Sequence, residues 1–456
     1  MVTANRRSPR AALTGGVLVL ALVASGCQWS MARFDATGSG YNPTDTEIGV
    51  AEISGVTVEL TAAVTGTSTT VPVVSGSTVV VTTSGAGGGV RAYDLSGSGC
   101  SGVPLTCTPL WTAASGSTVR QAIVADGSVI VGVGNDLHAY DVAGLAGCGG
   151  TPVVCQPEWT AAGWAGSVIA ANGLAYVSRS PGAAVFDVAG VDGCSGTPKT
   201  CSPRWTYAVE NMATPLGVSP PVLADGVLYI GTQESEAFIN GGDVGSIQAF
   251  DAAGVDGCSG APAVCTPQWR GSSGAVFGSP AVVDGVVYAG SILTGFDEDD
   301  LLVGSSTVTG WDTTSCVGDL ACPPSWNASV SDTSFATPTI AVAEGLLHVT
   351  DPDDSTVATY ATGAASPCAA GGAPCVAERR ANAFGSPSIA NGLLYVGPNA
   401  FDVTGVTACS GSPIICQPLW TAPVPGTRHL AIPTNNKVIV WARTNTSSAL
   451  SIFDLP

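Results

Sequence analysis

Fourteen cysteines stand in seven pairs: Cys100/Cys107, Cys148/Cys155, Cys194/Cys201, Cys258/Cys265, Cys316/Cys322, Cys368/Cys375 and Cys409/Cys416. Six residues separate the partners everywhere except in the fifth pair, which has five. Paired thiols can bind a metal as thiolates or oxidise to one another. Structural zinc sites favour two to four residues between neighbouring ligands with a second ligand pair close by, and this pattern offers neither. Local pairs in an exported chain read as disulfides, because thiols outside the cytosol oxidise and stay oxidised. Closing so short a loop removes about 2–2.5 kcal/mol of unfolded-chain entropy, so each bridge is expected to pin one hairpin locally.

Carboxylates offer a second chemistry. Asp297, Asp299 and Asp300, with Glu234, Glu236, Asp243, Asp351, Asp353 and Asp354, fall in corresponding loops of three consecutive repeats. Such a group suits calcium or a basic protein partner, although no Asp-x-Asp-x-Asp-Gly loop is present. His138, His348 and His429 lie in three different repeats and read as packing or surface residues rather than a metal site. Neither a Gly-x-Ser-x-Gly elbow nor a metalloprotease helix nor a phosphate loop occurs.

The elements that must position these residues repeat about every 50 residues. Ahead of six cysteine pairs stands an aromatic followed by Asp: Tyr93-Asp94, Tyr140-Asp141, Phe186-Asp187, Phe250-Asp251, Trp311-Asp312 and Phe401-Asp402. Behind six pairs stands Pro-x-Trp, ending at Trp111, Trp159, Trp205, Trp269, Trp326 and Trp420. Turn dipeptides at Asp126-Gly127, Asn172-Gly173, Asp284-Gly285 and Asn391-Gly392 join the first two strands of their units. Each unit therefore reads as four antiparallel strands, and the chain as an all-β, eight-bladed β-propeller. First strands begin near Val71, Gln121, Ser167, Pro220, Pro280, Pro338, Pro387 and Leu430. The eighth unit ends at Phe453-Asp454 without a fourth strand, while Glu59-Leu60-Thr61-Ala62-Ala63 mirrors Glu158-Trp159-Thr160-Ala161-Ala162. The amino-terminal strand is thus expected to complete the last blade and close the ring. The sixth unit departs most, with Tyr360-Ala361 for aromatic-Asp and Arg379 in the Trp slot.

Residues 1–26 carry Arg6, Arg7 and Arg10, an apolar run from Ala11 to Ala24, and small residues before Cys27. This reads as an export signal. Small residues directly before a cysteine resemble the lipobox of bacterial lipoproteins, with Ala24 where Leu is usual; the alternative is an ordinary secreted chain in which Cys27 is incidental. Lipidation of Cys27 would hold the protein on the extracytoplasmic side of a bacterial envelope without spanning the membrane. Residues 27–51 would lead into a ring spanning 52–456. Without the three signal arginines the chain has 12 basic against 34 acidic residues, a net charge of −22, which disfavours a nucleic-acid partner.

The order aromatic-Asp, short loop, Trp resembles the pyrroloquinoline-quinone-type repeat of quinoprotein-like propellers, with the cysteine pair replacing the Thr-Gly turn usual there. The resemblance covers roughly residues 52–456. A non-enzymatic outer-membrane assembly lipoprotein in that family shares the plan of lipobox followed by eight blades. Enzymatic members hold the quinone near the ring axis with calcium, a carboxylate base and often adjacent bonded cysteines. No adjacent pair exists here, and no matching ligand set is recognisable on the inner strands. The reading is accordingly a binding or scaffolding module without a cofactor. The alternative is a quinone- and calcium-dependent oxidoreductase acting on an alcohol or sugar.

A small ligand would meet the channel mouth. Phe277, Phe335 and Phe384 precede three inner strands and align with Trp164, Arg120 and Arg428 in others. These would ring the mouth and suit a planar, sugar-like or anionic ligand, or the aromatics merely wedge between blades. For the anchor, Cys27→Ser is expected to release the protein from membranes or block its processing. Unchanged retention together with unchanged mass, read by fractionation and mass spectrometry, would overturn that reading.

Overall fold

A computed structural model describes residues 28–456 apart from 68–69, 115, 210–216, 234–244, 277, 297–301, 317–320, 333–335, 352, 354, 363–365, 367–374, 376 and 445–446. The turn dipeptides do what their chemistry requires. Asp126, Asn172, Asp225, Asp284 and Asn391 have φ between 44° and 52°, each followed by a glycine of positive φ. Two successive left-handed residues make the hairpin turn whose twist matches its strands. Blade 2 is representative: Val119–Ala125, Ser128–Val133, Asp136–Asp141 and Trp159–Ala161 pair antiparallel in that order. Eight such sheets form the ring, the propeller architecture that the repeat implies.

Closure is as expected. Thr57–Thr65 pairs antiparallel with Ser447–Asp454, and Leu60, fully buried, fills the Trp slot. Lys437 ties the two ends together, pairing with Glu59 at 2.5 Å and with Asp454.

Each aromatic-Asp motif divides its work. The aromatic is buried in the core: Tyr93, Tyr140, Phe186, Phe250, Trp311, Tyr360, Phe401 and Phe453 are all 2% exposed or less. The outer Trp of one blade packs on the aromatic of the next, Trp159 on Phe186 at 6.3 Å and Trp420 on Phe453 at 5.1 Å. Trp111 and Trp159 donate Nε1–H to Val142 O and Val188 O, each at 3.0 Å. Arg379 substitutes for the missing Trp of blade 6 by donating to the equivalent Val403 O at 2.7 Å. Gly144 and Gly405, both with positive φ, lie against Trp111 and Arg379 respectively, where a Cβ would collide. The Asp caps its own loop: Asp141 accepts Ala143 N, Leu145 N and Ala146 N at 2.7–3.0 Å. Burial alone would raise that carboxyl, but the three backbone donors outweigh it and hold its pKa below the ordinary range.

The cystine hairpins act beyond their own loops. Six bridges have both partners described: Cys100–Cys107, Cys148–Cys155, Cys194–Cys201, Cys258–Cys265, Cys316–Cys322 and Cys409–Cys416. Cys375 is also bridged, while Cys368 lies outside the described residues. Such local cystines belong to an oxidising, extracytoplasmic compartment. Each hairpin pairs in parallel with the outer strand of the preceding blade: Val154 with Thr112, Thr200 with Thr160, Val264 with Thr206, Ile415 with Arg380, and Thr106 with Thr61 across the closure. Single parallel bridges, Arg270 with Ala321 and Ala328 with Cys375, mark the same contact at two other junctions.

The bridges pin their own hairpins, as expected, with the two cysteines directly opposed in five of them, and burial adds a second role. Cys107, Cys155, Cys201, Cys265, Cys322 and Cys416 are only 0–7% exposed, and Cys316 is buried with Cys322. Their sulfurs belong to hydrophobic clusters of the blades: Cys107 packs with Leu60 and Tyr93, Cys155 with Trp111 and Tyr140, and Cys201 and Cys265 with Trp159 and Trp205. Cys316 and Cys322 join Trp269 and Trp311, and Cys416 joins Ala381 and Phe401. The reason is positional. The second cysteine of a pair sits on the strand that adds to the neighbouring blade, so its side chain enters the seam between blades, where a sulfur relieved of its proton by bridging packs as an apolar group. The bridges therefore stiffen the parts that join neighbours. The junction of blades 7 and 8 has no such hairpin, and Ile48, Ile53 and Val56 fill it against Leu393, Tyr395 and Phe453.

Residues 28–42, expected only to lead into the ring, follow its inner wall blade by blade. Gln28 and Trp29 pair with Ser75 and Val74 of blade 1. Ser30 O accepts Val124 N of blade 2, Ala36 O accepts Leu223 N of blade 4, Thr37 O accepts Val282 N of blade 5, and Ser39 O accepts Val342 N of blade 6. Tyr41 and Asn42 then pair with blade 7, and Asn42 Nδ2 donates to Pro433 O of blade 8 at 3.0 Å. Gly38 makes the path possible, since its φ is +71° and a Cβ would strike Pro280 O and Val222.

Burial predicts unequal junctions. Trp159→Ala is expected to cost about 3–5 kcal/mol in denaturant unfolding, whereas Trp420→Ala, half-buried at the junction without a hairpin, should cost distinctly less. Equal costs would refute this account of the junctions.

Candidate functional site

The inner strands begin at one face of the ring, and there the wall opens between blades 6, 7 and 8. A cavity of about 180 Å³ is lined by Thr339, Phe384, Arg428, His429, Trp441 and Arg443, among others. Its shape follows from strand register. Arg428 and Arg443 are cross-strand partners in blade 8, as are Leu430 and Trp441. Alternation by two puts Trp441 and Arg443 on one face of their strand. Phe384 stands ahead of the blade 7 inner strand, 37% exposed, with the Arg428 guanidinium 6.0 Å from its ring centre. Two cations, an exposed aromatic face and a buried indole thus share one recess in a strongly acidic protein.

Of the expected mouth residues, Phe384 and Arg428 come together here. Trp164 packs edge-on against Phe186 at 5.9 Å and joins the core of blades 2 to 4, the wedge role that was its alternative. Arg120 is exposed on the blade 2 inner strand and lies against Gly132, outside this cavity. Phe277 and Phe335 lie outside the described residues, as do Asp297, Asp299, Asp300 and Cys27. Among the described residues no three His, Cys, Asp or Glu side chains gather as a metal-binding group. Nor is any described helix long and apolar enough to cross a membrane.

Sequence reasoning missed Arg443 and Trp441. Their i, i+2 spacing on a second strand was a usable signal, since it puts them beside the first-strand pair Arg428 and Leu430.

A second cavity, of about 220 Å³, lies on the axis above residues 31–38 and is lined by the inner strands of several blades. It shares Thr339 and Ser386 with the mouth, so the two cavities are neighbours. No bridged cysteine lines either cavity, so the described cystines serve the seams between blades and not these recesses.

The histidines differ in surroundings. His429 Nε2 lies 3.3 Å from Val424 O, and burial pulls its pKa below the usual value. His138, beside the Tyr140 hydroxyl at 2.9 Å, is lowered for the same reason. His348 is fully buried with Nδ1 3.0 Å from Thr359 Oγ1. Burial, and then the charge of Arg379, draws its pKa down to about 3.

No protein-family description matches this chain, and no curated protein matches it. Among solved structures it is similar to a quinohemoprotein alcohol dehydrogenase from Pseudomonas putida, at 12% identity and a TM-score of 0.47, covering 94% of this chain and 80% of that one. It is also similar to the quinohemoprotein alcohol dehydrogenase from Comamonas testosteroni, at 11% identity and a TM-score of 0.43, covering 93% and 80%. A third similarity is to AztD from Citrobacter koseri, at 13% identity and a TM-score of 0.29, covering 66% and 84%.

The buried histidine sets a pH dependence. Folded His348 stays neutral down to about pH 3, while the unfolded residue protonates near 6.5, so between those values the unfolded state binds the extra proton. Stability present above about pH 6.5 is therefore lost as pH falls, at up to about 1.4 kcal/mol per pH unit from this residue. His138 and His429 act in the same direction, whereas the capping aspartates act only below the ordinary carboxylate range. Denaturant unfolding between pH 6.5 and 4.5 should show a shallower slope in His348→Asn; an unchanged slope would mean that His348 titrates normally in the fold.

Proposed function

We propose that this protein is a binding module, held at the extracytoplasmic face of a membrane through lipidated Cys27, with its ligand site at the mouth between blades 6, 7 and 8. One observation carries the reading: Arg428, Arg443, Phe384 and Trp441 converge on a recess of about 180 Å³. Guanidinium groups beside an aromatic face favour a ligand that is both anionic and flat, since charge and ring stacking act together. A recess of this size accommodates a single-ring compound. His429, drawn toward its neutral form by burial, adds a hydrogen-bonding group there without a third positive charge at neutral pH.

Electrostatics favour the same class. In a chain of formal charge −19, an exposed Arg428 and its partner Arg443 make the mouth a local positive feature against a negative field. Its attraction for anions weakens with added salt.

Benzoate is a suitable probe, with benzyl alcohol as its neutral counterpart. Calorimetric titration is expected to show benzoate binding in preference to the alcohol, with at least tenfold weaker affinity in Arg428→Met and in Phe384→Ala. Binding that is indifferent to both substitutions would reject the mouth as the site. Dye-linked alcohol or sugar oxidation, dependent on pyrroloquinoline quinone and calcium and lost on changing an axial residue, would replace the binding module with an oxidoreductase.

A further inference from the structure

The face of the ring opposite the mouth carries an apolar set that the ligand site does not use. Inner strands run from the mouth to the turns that join them to the second strands, as Arg428–Thr434 does in blade 8. Third strands run the same way, so Asp94 and Asp141 lie opposite Thr78 and Ser128, the first residues after their turns. The loop that follows each Asp is held at this turn face. Val142 N, Val188 N, Ala252 N and Val403 N donate to the turn carbonyls of Gly127, Gly173, Gly226 and Gly392 at 2.9–3.0 Å.

Among the described residues, five large aliphatic side chains are more than half exposed, and all five belong to cystine loops. Val103 is fully exposed, Leu145 and Val406 are 78% exposed, Val255 70% and Val191 66%. Leu145, Val191, Val255 and Val406 hold one position, four residues after the capping Asp, whose Oδ2 accepts their backbone N–H at 2.7–3.3 Å. Val103 stands at a hairpin tip just ahead of Leu105–Cys107. That strand pairs in parallel with Thr57–Thr65, which begins opposite Asp454, so the tip points to the same face. Single apolar side chains scattered over a surface need no explanation. A repeated position with a fixed backbone, on blades 1, 2, 3, 4 and 7, does.

The amino-terminal segment enters at this face too. Gln28 pairs with Ser75, the last residue of the blade 1 inner strand, and Trp29 pairs with Val74. Chain direction therefore brings residue 28 in from the turn side. Cys27 is one Cα step, about 3.8 Å, from a residue already fixed in the sheet. Acyl chains on Cys27 would have no spacer, and would draw the turn face rather than the mouth onto the membrane.

Spacing and charge choose among occupants. Side chains spread round five blades of a ring are met together by an extended flat surface, whereas a globular partner reaches only a few. A second copy of the chain is disfavoured, because Asp126, Asp225, Asp256 and Asp284 are exposed on the same face and two such faces repel.

We propose that the turn face lies flat on the lipid bilayer, with Val103, Leu145, Val191, Val255 and Val406 entering its interface, and that the mouth between blades 6, 7 and 8 opens away from the membrane. The orientation rests on acylation of Cys27. Stable attachment takes more than one weak signal, and contact at several blades adds to the acyl chains while fixing the tilt of the ring.

The test uses the protein isolated from membranes and reconstituted in phosphatidylcholine vesicles whose acyl chains carry bromine, a quencher of nearby tryptophan. Leu145→Trp, Val255→Trp and Val406→Trp, made singly, are expected to lose at least half of their added fluorescence relative to unbrominated vesicles, and Phe384→Trp at the mouth none. Adding Leu145→Ser, Val191→Ser and Val406→Ser to Val255→Trp should reduce its quenching at least twofold. Quenching of Phe384→Trp, or quenching that the serines leave unchanged, would overturn the proposal. Mass spectrometry of the amino-terminal peptide separates the two levels. An acylated chain with unquenched loop tryptophans overturns the orientation alone and leaves the face to a basic protein partner, whereas an unacylated Cys27 overturns the anchor and the orientation with it.

Discussion

The ring depends on one contact made again and again: a hairpin from each blade but the last adds in parallel to the outer strand of the blade before it. A propeller blade by itself leaves that outer strand as an open edge. Here the short cystine hairpin covers it, while the outer Trp of the covered blade packs on the aromatic of the blade that supplied the hairpin. Stability is then a sum of near-identical neighbour terms, as in other repeat architectures. The bridge's part is to keep a hairpin of a few residues formed, so that neighbour contact does not first require ordering a loop.

Two places depart from the repeat, and each has a local solution. Blade 6 lacks the Trp, and the Arg379 guanidinium reaches the same carbonyl of the next blade that an indole would. The junction of blades 7 and 8 lacks the hairpin, and apolar residues between Ile48 and Val56 occupy the gap. The closing strand is sealed by Lys437, whose pKa rises because the hydrogen bonds and charges of Asp454 and Glu59 outweigh its burial.

The axial segment changes what the ring can do. Its path along the inner wall leaves a chamber of limited size and an open mouth beside blades 6 to 8. It also carries a cation into the middle of an acidic protein. The mouth, lined by Arg428 and Arg443, therefore presents positive charge to solutes that the outer surface repels, which is a basis for selectivity without strong overall attraction.

Much of this was legible in the chain itself, because each repeat carries its signal locally. Aromatic-Asp, cystine loop and Pro-x-Trp lie within some 20 residues of one another, and the turn dipeptides demand left-handed backbone. Blade count, strand order and the Leu60 strand that closes the ring all followed. Phe384 and Arg428 were found the same way, from equivalent positions in different repeats. The remainder depended on distance in the chain. No local pattern in residues 28–42 announces that they touch seven blades, since their partners lie up to 391 positions away. Nor could the cysteine spacing reveal that each hairpin joins its neighbour and buries Cys107 and its counterparts in the seam, because a parallel pairing is made by ring geometry. Arg33 was only one more arginine until the tertiary structure closed its Nε and Nη2 off from bulk water: sequence determines which groups carry charge, but lost water, which decides what that charge costs, exists only in the assembled fold.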